Sequence, residues 1–107
     1  MHLSMRGATD IIRRSAVRFG FAVADIRGPR RTEEVVRARK ACALALRRAG
    51  YSYPEIGEAL RRDHSSVQVS IKHPVHGALV LAERDPEFAE AVAAGESTPA
   101  PTRPTGP

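Results

Sequence analysis

In "TDIIRRSAVRF", residues 9–19, apolar side chains recur at Ile12, Ala16 and Phe19, with Ile11 beside them and the arginines mostly opposite. That spacing is the 3.6-residue period of an amphipathic helix. Thr9 is its candidate N-cap and Gly20 its natural stop. Residues 1–8 are then an N-terminal arm. In the following "FAVADIRGPRR", Phe21, Val23 and Ile26 are expected to anchor a connector into the core, and Gly28-Pro29 turns the chain. The longest periodic run is "TEEVVRARKACALALRRA", residues 32–49. It has a stripe through Val35, Ala38, Ala41 or Cys42, Ala45 and Ala49, flanked by Leu44 and Leu46. Acids at its start and arginines at its end complement the helix dipole, and Gly50 ends it.

Two short helices follow. "SYPEIGEAL", residues 52–60, opens with Ser52 as N-cap, Pro54 in the first turn and Glu55 closing an S-x-x-E capping box. Ile56, Ala59 and Leu60 form its buried face. Gly57 inside so short a helix costs roughly 1 kcal/mol of propensity, which is tolerable where a neighbouring helix must approach closely. In "RRDHSSVQVSIKH", residues 61–73, Asp63 or Ser65 can cap a helix that turns Val67 and Ile71 inward and is stopped by Pro74. Residues 75–83 and 86–94 read as two further helices, the second starting at Asp85-Pro86. The last residues, 95–107, end in "ESTPAPTRPTGP", with four prolines in twelve residues, and read as a disordered tail. The expected architecture is one all-α domain over residues 9–94, a small helical bundle with a helix-turn-helix at 52–73.

Composition narrows the chemistry. Aromatic residues make up 5% and Trp is absent, so the core must be aliphatic. The single Cys42 excludes an internal disulfide framework and lies in an Ala/Leu-rich run as a small buried filler. There is no apolar N-terminal segment and no run long enough to span a bilayer, so a cytoplasmic, nucleoid-associated protein without membrane contact is expected. The net charge of +5 is unevenly placed, with +8 over residues 1–73 and −3 over residues 74–107. Basic charge concentrated on the helix-turn-helix half suits a polyanionic partner; a solvated basic surface is the plainer alternative.

Asp63, His64 and Ser65 invite a catalytic reading, which their spacing defeats. A nucleophilic triad needs members converging from separate elements, whereas three consecutive residues at a helix start diverge. His2, His64, His73 and His76 form no HExxH or Cys/His pairing, and His73 and His76 straddle Pro74. The sequence has neither a GxxxxGK[ST] loop nor a GxGxxG string, so no nucleotide cofactor, metal or enzymatic activity is expected. The same residues suit DNA. The second helix of a helix-turn-helix puts its N-terminal side chains into the major groove. There Asp63 can accept from a base amino group, His64 can donate to a purine acceptor and Ser65 can do either. Capping takes one carboxylate oxygen, so a structural and a reading role for Asp63 can coexist.

"EIGEALRRDHSSV" resembles the signature of the C-terminal DNA-binding domain (domain IV) of the bacterial replication initiator DnaA. In that family an EIG run precedes an R-D-H-T-T-V motif, and Ser65 and Ser66 here stand in for the threonines. "FAVADIRGPRRTEEVVRARKACALAL" resembles the family's upstream segment, so the likeness covers roughly residues 10–73. It implies a DnaA domain IV-like, or Trp-repressor-like, fold. By position, Arg31 in the basic loop would enter the minor groove, and Arg47 would lie near the major groove. Pro54 would touch DNA at the start of the first helix of the pair, while Asp63, His64 and Ser65 would read bases. Arg39, Lys40, Ser66 and Lys72 would hold phosphates, with Arg30 and Arg62 beside them. Dipole compensation is an equal alternative for Arg47. The string "LRRDH" is one residue shorter than the family's turn and lacks its glycine, which predicts a recognition helix shifted by a fraction of a turn.

These features predict a freestanding reader of DnaA-box-like double-stranded sites, monomeric or weakly dimeric. It would regulate replication initiation or transcription, in a bacterium, phage or mobile element. The rival reading is a protein-interaction module that binds a replication or transcription protein through the acidic helix 86–94 or the Pro-rich tail and meets DNA only non-specifically.

Overall fold

The computed structural model describes residues 5–96, and among these all regular structure is helical. The helix α3 (Glu33–Arg48) runs through the centre and touches each of the other six. Thr32 caps it by accepting from the Val35 amide, and Ala41 through Leu46 are six consecutive buried residues. A single-stripe helix would leave half of these in water. Leu44 and Leu46 are therefore core on two further sides, while Ala49, expected in the stripe, is the exposed C-cap. Cys42 is fully buried, its thiol donating to the Ile12 carbonyl at 3.6 Å, and burial pushes its pKa up to about 12.

Against one side of α3 lies α1 (Met5–Val17), which buries Ala8, Ile11, Ile12, Ser15 and Ala16. It begins a turn earlier than expected, because Ala8 extends the apolar stripe and packing outweighs a possible cap. Met5–Ala8 are thus helix, while residues 1–4 of the expected arm lie outside the described residues. Thr9 is inside the helix, its hydroxyl donating to the Met5 carbonyl and accepting from Arg27. The connector after Gly20 contains a helix of its own, α2 (Val23–Arg27), which buries Ile26. Arg27 ties it to α4 through the Ala59 carbonyl at 2.8 Å.

The helix pair is α4 (Tyr53–Leu60) and α5 (His64–Lys72). The capping box forms: Ser52 Oγ accepts from the Glu55 amide, and Glu55 Oε1 accepts from the Ser52 amide. A Cβ on Gly57 would lie 2.7 Å from the Arg62 carbonyl and 3.2 Å from His64 Cα, so only glycine lets the tight turn fold back on α4. In that turn Arg61 takes the left-handed C-cap conformation, φ 58° and ψ 46°. The turn closes at the cost of a side chain in a region that disfavours one.

Beyond Pro74 the chain completes the bundle. His73 Nδ1 accepts from the amides of Val75 and His76, forming a turn, so α6 is Ala78–Arg84 and starts three residues later than expected. Asp85 Oδ1 accepts from the Glu87 and Phe88 amides at the start of α7 (Pro86–Glu96). Phe88 is the largest fully buried side chain, edge-on to Phe19. The helix runs past residue 94: Gly95 is buried where a Cβ would clash with Ser15 Oγ at 2.4 Å. Ser15 donates to Ala91 and Arg14 to Ala94 and Gly95, so the α7 carbonyls are held by α1. Gly95 and Glu96 thus belong to the bundle, and the rest of the expected tail, 97–107, lies outside the described residues. None of the described helices is long and apolar enough to cross a membrane.

Candidate nucleic-acid interface

The outer edge of α5 carries the candidate base readers. Asp63 caps the helix, its Oδ2 accepting from the amides of Ser65 (3.0 Å) and Ser66 (3.3 Å), which leaves Oδ1 outside the cap. His64, Ser65 and Ser66 follow, all exposed. The cap takes up two of the first-turn amides, and the positive helix end favours the approach of acceptor groups.

Beside it a groove of about 670 Å³ separates α5 from α3 and the loop at residues 28–32, lined by Arg31, Arg39, Lys40, Arg62 and Ser66 among others. The cations here are not equivalent. Arg39 donates through Nε to the Ile26 carbonyl at 2.8 Å and through Nη2 to Gly28 and Arg30. Arg62 donates through Nη2 to the same Gly28 carbonyl. Two guanidiniums, one from α3 and one from the turn between α4 and α5, thus staple one loop. Burial, then the neighbouring Arg62 charge, lower the Arg39 pKa, but a guanidinium starts so high that it stays charged. Arg39 was expected to face phosphate; its Nε and Nη2 are spent on the backbone, and Nη1 lies outside those bonds. Lys40 donates to the His76 carbonyl at 2.8 Å, its pKa lowered by burial. Arg30 pairs with Asp25 at 3.6 Å. Arg31 stands exposed at the rim of the loop that the other two hold.

A second basic cluster lies at the other end of α5. Arg47 donates to the Tyr51 carbonyl at 3.1 Å, and its guanidinium carbon lies 4.5 Å from the centre of the Tyr53 ring. Lys72 Nζ lies 5.7 Å from the same ring, and the exposed Pro54 is the next residue. Tyr53 is therefore a functional candidate that the sequence reading missed. Nothing in the spacing of residues 47, 53 and 72 joins them; only the return of α5 past the start of α4 does so. Arg27 and Arg62 as loop and helix ties were missed for the same reason.

Residues 8–73 match the family of the bacterial DnaA protein helix-turn-helix. The chain belongs to this family. It is an all-α, DNA-binding helix-turn-helix domain. A similar protein is the chromosomal replication initiator protein DnaA of Deinococcus radiodurans, 34% identical over 85 residues, which cover 78% of this chain and 17% of that protein. No solved structure matches the chain. The family match ends at His73, so α6 and α7 complete the core from outside that segment.

Proposed function

We propose that this DnaA-type helix-turn-helix binds a specific double-stranded site of the DnaA-box kind, with α5 in the major groove and the 28–32 loop at the adjacent minor groove. The observation that carries this is the juxtaposition of the exposed Asp63–Ser65 edge with a groove lined by four basic side chains. In this reading Asp63 Oδ1, His64 and Ser65 meet base edges, and Pro54 and Arg47 flank them. Arg31 follows the minor groove, whose negative potential attracts arginine. Ser66, Arg62, Lys72, Lys40, Arg30 and Arg39 Nη1 face phosphates. The biological role follows from occupancy: a domain that holds such sites associates with the nucleoid and competes for, or assists, initiation or transcription there.

The test is fluorescence anisotropy with a DnaA-box duplex and a scrambled duplex across a salt series. Preference for the box, with affinity falling steeply as salt rises, supports the reading. Equal, salt-steep binding removes the DnaA-box specificity. Absence of binding at low salt favours the protein-interaction alternative.

A further inference from the structure

The outermost point of α5 is apolar. Val67 and Ile71 are the buried residues of this helix. At 3.6 residues per turn, Val69 projects about 180° from the midpoint between them. It is 60% exposed. Ser65 lies four residues before it and Lys72 three after, so the outward stripe reads Ser65, Val69, Lys72, with exposed Gln68 alongside. Val is a poorer helix former than the polar residues usual on an exposed face, and here it contributes nothing to the core.

We infer that Val69 determines specificity by packing on the C5-methyl group of a thymine in the major groove, which rests on the DNA reading above. The methyl is the apolar feature of that groove's base edges, and it distinguishes A·T from T·A by its position. The surroundings favour DNA over an apolar protein partner. One valine framed by serine, glutamine and lysine falls far short of the contiguous patch of a few hundred Å² that marks a protein contact. The flanks are basic on both sides: Arg47 and Lys72 at one end of α5, Arg31 and Arg62 at the other. A polyanion complements that frame. Four residues of helical rise place Val69 about 6 Å beyond Ser65, so its thymine lies roughly two base-pair steps from the base that Ser65 meets.

The test uses the full chain. Bound duplexes are selected from a random pool, and each thymine of the resulting site is then replaced singly by deoxyuridine, which removes only the methyl. Wild type is expected to lose about fourfold in affinity at one such position, the value of one buried methyl-sized group. Val69→Ala should bind the parent site about fourfold more weakly and be indifferent to that same replacement. Circular dichroism checks the fold of the variant. No thymine sensitive in wild type, or an equal loss in Val69→Ala, overturns the inference while leaving the DNA reading intact. A Val69→Ala change in sedimentation with every deoxyuridine cost unaltered assigns the side chain to a protein contact and also overturns it. A pool that yields no preferred site for wild type defeats the DNA-site reading itself, and this inference with it.

Discussion

The two basic clusters that flank α5 hold their charges by different means. On the groove side, Arg39 and Arg62 donate to main-chain carbonyls, and their geometry shapes the loop that presents Arg31. At the far end, Arg47 gives one N–H to the Tyr51 carbonyl and, with Lys72, meets the face of Tyr53, which orients the cations while leaving further N–H donors for an incoming oxygen. An arginine bonded only to carbonyls acts mainly as architecture. A cation resting on an aromatic ring remains available as a ligand. Similar charges in similar sequence settings therefore meet different partners within the fold.

The largest expected effect comes from removing the staple. Arg39→Ala should lower affinity for every duplex and destabilise the fold by about 2–3 kcal/mol, since charged hydrogen bonds to three carbonyls are lost. Arg39→Lys should rescue little, because an ammonium cannot reproduce the planar fork. Urea denaturation and anisotropy read both; a variant of wild-type stability that loses only phosphate affinity would reverse the assignment. His64→Ala should cost about 1–3 kcal/mol at the preferred site and nothing on scrambled DNA. Unchanged preference would remove His64 from readout. Tyr53→Leu should weaken specific and non-specific binding alike by about 1 kcal/mol, whereas Tyr53→Phe keeps the ring and the affinity. Equal losses in both would mean that the phenol hydroxyl matters instead. The smallest effect is at the turn: Arg61→Gly should raise thermal stability by about 0.5–1 kcal/mol by relieving the left-handed backbone. A lower melting temperature would show that the arginine side chain compensates for its backbone.

Much of this was legible in local chemistry. Ser52, Pro54 and Glu55 announce the start of α4, Asp63 announces α5, and Val67 and Ile71 mark the buried side of α5. These are interactions across three or four residues, where spacing alone sets geometry. Gly57 was readable as a point of close approach, though not that the approaching group is the Arg62–His64 turn. The expectations that failed depend on distant partners. Thr9 has the character of a cap, but Ala8 packs and draws the helix past it. Ala49 fits the stripe, but α3 ends where no helix covers it.

The sequence by itself therefore determined the long helix α3, the caps of α4 and α5, the helix-turn-helix and the concentration of positive charge around it. All of these follow from short-range periodicity and residue type. Only the tertiary structure decided which partners each cation meets within the protein. A guanidinium donates to whatever acceptor lies within about 3 Å. For Arg39 and Arg62 that acceptor is a loop carbonyl brought near by the packing of α2, α3 and α4. For Arg47 the partner includes a ring six residues away, set in place by α4 and shared with a lysine on α5. Residue type fixes what a side chain can bind, and the packed chain fixes which partner is within reach.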